Sequence, residues 1–149
     1  MNDWGLALLR VTLGLIFVMH GYSTWAGPGP GETAGVVTAI GYPAALSTAL
    51  AWYLILAHLG GGVLMILGIW ARMAALLNVP IMASAVFLVH WQQGFFLRGV
   101  IVDAAAGRAF AGGYEFALLV LAVTLVVALL GPGSLSLEAV RARRVIEVP

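Results

Sequence analysis

The stretch AWYLILAHLGGGVLMILGIWAR, residues Ala51 to Arg72, decides how the rest of the chain is read. It is apolar over about 20 residues, the length at which one helix crosses a bilayer. His58 stands at its middle, with Gly60, Gly61 and Gly62 just beyond. In a water-exposed helix each glycine costs roughly 1 kcal/mol relative to alanine. In a membrane, the missing side chains let a neighbouring backbone approach, and Ala57 with Gly61 forms a small-xxx-small pair. His58 projects over the same face as Gly61 and Gly62. An ionisable group inside a span is expensive and faces the bundle interior. The other helices are therefore read as the partners that cover it.

Composition agrees with that reading. Of 149 residues, 62% are hydrophobic and 9% charged, against about 25% charged in a soluble domain. The chain reads as an all-α integral membrane protein, a four-transmembrane-helix bundle with short loops. A net charge of +1 leaves no electrostatic footprint for nucleic acid. All seven basic side chains are arginine and there is no cysteine, which excludes disulfides, thiolate metal sites and thiol redox chemistry within this chain.

Four apolar runs are expected to span, near Leu6–Trp25, Leu46–Ala71, Met73–Phe96 and Gly113–Leu130. The first could instead be a signal peptide, but Asp3 and Arg10 fit that poorly. Between the first two, residues 26–43 are too rich in Gly and Pro for a continuous helix, with a short interfacial helix expected over Thr33–Ile40. Pro80 is expected to kink the third span and to free the carbonyl of Leu76. Leu97–Gly112 reads as a solvated loop. Residues 1–133 form the transmembrane domain, and 134–149 a polar cytoplasmic tail that could begin as a surface helix. Arg10, Arg72, Arg141, Arg143 and Arg144 against Arg98 and Arg108 place both termini in the cytoplasm by the positive-inside rule. Arg10 is expected to snorkel to that interface, Arg72 to act as an anchor, and Ile66 and Ile69 to face lipid.

Depth selects the chemistry-bearing residues. His20, His58, His90 and Glu115 come from four helices, and all fall in the outer half of the bundle. Each also has a plainer role. His20 and His90 could be interfacial, Glu115 could complement a helix start, and His58 could be a neutral histidine bonded to a carbonyl or to Asn78. Three histidines and a carboxylate could ligate a metal, and two could hold a haem, although no ligand motif is present. A quinone headgroup asks less: one or two hydrogen-bond donors in an apolar slot, here His58 and His90 with Phe17, Tyr22, Trp25 or Trp91 as walls. Glu115 and His20 would then link the slot to outer water, since imidazole exchanges protons near neutral pH.

The order LLRVTLGLIFVMHGY, a GYP loop, HLGGGVLMILGIWAR, VHWQQGFF, GGYEFALL and GPGSLSLE closely resembles the DoxX family of small four-helix membrane proteins. The likeness runs from about Leu8 to Glu138. It implies a four-helix bundle in a prokaryotic cytoplasmic membrane, allied to redox systems such as thiosulfate:quinone oxidoreductase. Its polar positions carry over to Arg10, His20, Arg72, His90, Tyr114 and Glu115. The chain departs from the family by placing His58 where glutamate is common, and Ser23, Thr24 and Trp25 where lysine is common. The expectation is a membrane subunit of a quinone-linked oxidoreductase, with partner subunits. The alternatives are a non-catalytic anchoring subunit and a haem- or metal-binding protein.

Overall fold

The computed structural model describes residues 4–97, 100–103 and 108–138. Helix α1 covers Trp4–Ala26, α2 Gly29–Ala39, α3 Ala44–Leu67, α4 Ala71–Ser84 and α5 Glu115–Leu130. After α4 the chain continues through a π-helical turn, Ala85–His90, and a 3-10 turn, Trp91–Gln93. Trp4–Ala26, Ala44–Leu67 and Ala71–Gln93 are long and apolar enough to cross a membrane. Helix α5 is apolar but has 16 residues, about 24 Å at 1.5 Å per residue. In the antiparallel bundle α1 packs on α3 and α4 on α5, while α3 also meets α4; α2 lies across α3 and touches α1. Leu13, Phe17, Met65, Ala74, Val86, Val120 and Val127 form the core. Leu8, Leu15, Leu56, Leu119 and Leu129 are exposed on the outside, as expected where the solvent is lipid.

Glycine sets the close approaches. A Cβ on Gly62 would lie 2.8 Å from the Gly14 carbonyl oxygen and 2.9 Å from the Val18 nitrogen of α1. On Gly61 it would lie 2.7 Å from the Asn78 side-chain nitrogen of α4, whereas at Gly60 nothing stands within 4 Å. The triplet thus serves two neighbours on two faces and leaves its third member outward. Helix α1 supplies matching positions at Gly14 and at Gly21, where a Cβ would be 2.9 Å from the Leu59 nitrogen. Ile66 is not lipid-facing as expected: it is half-buried and packs over Gly14.

Several boundaries differ from the sequence reading. Helix α3 stops at Leu67, because Gly68 adopts the left-handed conformation at φ 68°. There its N–H bonds the Met65 carbonyl at 3.1 Å while Ile69 reaches Leu64 at 3.0 Å, a glycine C-terminal cap. Trp70 is also left-handed, at φ 48°. The apolar run crosses this turn without a break, so hydropathy alone merges the two. Helix α2 starts at Gly29, earlier than expected, since Pro28 and Pro30 fall at its first turn, where a missing N–H costs nothing. The loop before α5 contains an antiparallel hairpin, β1 Val100–Asp103 with β2 Arg108–Ala111, pairing Val100 with Ala111 and Asp103 with Arg108. Among the described residues the fold is therefore helical apart from one small hairpin.

Arg10 is fully buried rather than snorkelling. Its guanidinium donates to the carbonyls of Met65, Ile66 (3.0 Å) and Leu135 (3.1 Å). It thereby caps the C-terminus of α3, where carbonyls lack partners and the dipole favours a cation. It also ties in the first residues of the tail. Ser136 is buried, the Trp70 N–H donates to the Glu138 carboxylate, and the Glu138 N–H reaches the Gly68 carbonyl at 3.4 Å. Arg72 serves α5 similarly, donating to the Leu130 carbonyl at 3.2 Å. The remainder of the tail, with Arg141, Arg143 and Arg144, lies outside the described residues, as does Arg98.

Candidate functional site

At the end of the bundle covered by α2, a cavity of about 330 Å³ opens between the helices. Its walls are mostly apolar: Ile16 and Phe17 of α1, Val36 and Val37 of α2, Leu50 and Leu54 of α3, Ile81 and Met82 of α4, and Phe116 and Val120 of α5. His20, His58 and His90 all line it. Three different elements supply them: α1, α3 and the π turn after α4. Packing across Gly21 and Gly62 brings α1 close enough to α3 for His20 and His58 to share this space. The π turn, a geometry common at functional sites, contributes His90 and Val89.

His58 is the buried member, with 6% of its surface exposed. Its Nδ1 lies 2.8 Å from the Asn78 side-chain oxygen, and its ring rests on Phe17 with centroids 4.8 Å apart. The Asn78 amide nitrogen in turn donates to the carbonyls of Ala57 (3.0 Å) and Ala74 (2.8 Å). This buried network locks α3 to α4 at the depth of the cavity. Buried polar groups must be satisfied in this way, and more strictly so without water. His90 is half-buried and pairs its Nδ1 with the Gln93 side-chain oxygen at 3.1 Å. His20 sits at the rim and is exposed.

Glu115 stands apart from the three histidines. Its carboxylate accepts the Leu97 N–H at 3.0 Å, and its own N–H reaches the Phe95 carbonyl at 3.1 Å. It fastens the start of α5 to the end of the preceding segment and does not line the cavity. Among the aromatic walls expected from the sequence, Phe17 lines the cavity, whereas Tyr22 and Trp25 are exposed. Trp91 stacks on Tyr114 with centroids 4.9 Å apart. Among the described residues, no three His, Cys, Asp or Glu side chains gather as a metal site.

Sequence reasoning missed five hydroxyl-bearing wall residues: Thr24, Thr33, Tyr42, Tyr53 and Ser84. Tyr53 and Ser84 had a usable signal, as polar groups on apolar helices. Thr33 and Tyr42 had none, because nothing in the residues between the first two spans says that α2 folds back over the bundle. The cavity joins α2 to the four principal helices, so it exists only in the assembled fold.

Comparison with known proteins adds one finding. No curated protein and no solved structure matches the chain. The sequence model of the DoxX family matches residues 5–91, more than half of the chain, from α1 through the π turn that carries His90. The GGYEFALL and GPGSLSLE segments lie beyond that match. A multi-pass helical architecture and this family match agree, and the chain belongs to the DoxX family.

Proposed function

We propose that this chain is a small membrane subunit of a quinone-linked oxidoreductase or respiratory complex, and that its cavity receives a quinone-type headgroup. The observation that carries this reading is the meeting of all three histidines of the chain around one largely apolar cavity. Its volume of about 330 Å³ falls within the roughly 300–1,000 Å³ of small-molecule sites. When bound, a quinone supplies the electron chemistry. The residues of this chain supply a largely apolar slot, the imidazoles of His58 and His90 as hydrogen-bonding partners, and a rim histidine, His20, through which protons reach water. Glu115 supports the start of α5 rather than the proton path. With no cysteine in the chain, the headgroup exchanges its electrons with a partner subunit.

In this reading α5 is the fourth span, both termini are cytoplasmic, and the protein resides in a prokaryotic inner membrane. Arg10 and Arg72 at the terminal end of the bundle support that orientation. The test uses the native complex, purified with its partners in mild detergent. His58→Ala is expected to abolish electron transfer to or from an added short-chain benzoquinone while co-purification persists. Full activity in that variant would assign the chain to a purely anchoring role.

A further inference from the structure

We propose that the cavity is built for the reduced, hydroquinone form of its ligand rather than for the quinone, because nearly every proton on its polar walls is already committed. This inference rests on the quinone-type reading above and specifies which form of the headgroup the walls accept.

The hydroxyls can be followed one by one. Thr24 donates to the His20 carbonyl at 2.9 Å, and Thr33 to the Gly29 carbonyl at 2.7 Å. Ser84 donates to the Pro80 carbonyl at 2.8 Å. Its single proton is thereby used, so in the 2.8 Å bond between Tyr42 and Ser84 the tyrosine must be the donor. Tyr53 donates to the Leu77 carbonyl. All five hydroxyl groups on the cavity wall therefore present only oxygen lone pairs to a ligand.

The two deeper imidazoles behave alike. The Asn78 nitrogen faces two carbonyls, at 3.0 and 2.8 Å, which fixes its oxygen on the side of His58. That oxygen can only accept, so His58 Nδ1 carries the proton. A neutral imidazole has one N–H, and Nε2 is left as a bare lone pair. At His90 the Gln93 oxygen accepts the Gly113 N–H at 3.3 Å and also faces Nδ1 at 3.1 Å. His90 Nδ1 is again the donor and Nε2 the acceptor. His20 alone, whose imidazole makes no hydrogen bond among the described residues, keeps a ring N–H to offer.

A quinone has two carbonyl oxygens and no donor. Among these walls at least one of its oxygens meets only lone pairs, and a buried acceptor without a partner is penalised. A hydroquinone brings two O–H groups. Each can donate to an imidazole Nε2 or a wall hydroxyl, and its oxygens can still accept from His20. A donor-poor site of this kind discriminates by leaving the wrong ligand unpaired.

The test titrates the full chain in lipid nanodiscs, anaerobically and by calorimetry, with a decyl-substituted benzohydroquinone, the corresponding quinone and the hydroquinone dimethyl ether. The hydroquinone is expected to bind at least about tenfold more tightly than either of the others. Ser84→Ala releases the Tyr42 proton into the cavity and is expected to narrow that preference several-fold by strengthening quinone binding. A quinone that binds as tightly as the hydroquinone would overturn the proton assignment and leave the quinone-type cavity standing. Absence of binding by all three would overturn both. A hydroquinone preference unmoved by both Ser84→Ala and His58→Ala would show that the ligand sits elsewhere and would also overturn the proposal.

Discussion

Alanine placed at Gly60 and at Gly62 should have opposite effects, although the two positions are two residues apart on one helix. At Gly62 the new Cβ would lie 2.8 Å from the Gly14 carbonyl oxygen and 2.9 Å from the Val18 nitrogen. Both are backbone atoms of α1, so neither yields by a rotamer change. Relief requires α1 and α3 to separate by about half an ångström, and overpacking of this kind costs about 1–3 kcal/mol. Against that stands the helix-propensity gain of glycine to alanine, about 1 kcal/mol. Gly62→Ala is therefore expected to be destabilising by up to about 2 kcal/mol. At Gly60 nothing lies within 4 Å, so only the propensity gain operates and Gly60→Ala is expected to stabilise by up to about 1 kcal/mol. Equilibrium unfolding in mixed dodecyl sulfate micelles, followed by circular dichroism, measures both variants on one scale. Equal stabilities, or a Gly62→Ala variant above wild type, would refute the claim that α1 and α3 meet backbone to backbone at this glycine.

Two further perturbations probe the opposite end and the orientation. Arg10→Met leaves the carbonyls of Ile66 and Leu135 without the guanidinium, while Met65 keeps the Gly68 N–H, at about 1–3 kcal/mol for each group that finds no other partner. In this cysteine-free chain a reporter thiol, Ser136→Cys, is expected to resist maleimide with Arg10 intact and to react at least tenfold faster in the Arg10→Met background; equal rates would mean that Arg10 does not hold the tail. For topology, Glu32→Cys on α2 is expected to label with an impermeant thiol reagent in intact cells and Leu137→Cys only after lysis, and the reverse pattern would invert the assigned orientation.

Much of this architecture is legible in one dimension. The number of apolar stretches, their order and the depth of each ionisable group follow from hydropathy and a constant rise per residue, because bilayer thickness imposes one length scale on every span. Hence the sequence places His20, His58 and His90 toward one end of the bundle, offers Asn78 or a backbone carbonyl as the partner for His58, and marks the glycine triplet as a packing surface. The resemblance carried by HLGGGVLMILGIWAR and VHWQQGFF likewise needs no coordinates. Azimuth is another matter, since it depends on how the helices dock. Only the tertiary structure turns Gly62 to α1, Gly61 to α4 and Gly60 outward. It separates Glu115 from the histidines although their depths agree, and it buries Arg10, because the α3 terminus and the tail arrive there from 55 and 125 residues away. The proton inventory of the cavity is the furthest from the sequence. A threonine or tyrosine in the chain is equally donor and acceptor, and which it becomes is decided by the carbonyl that the fold sets beside it.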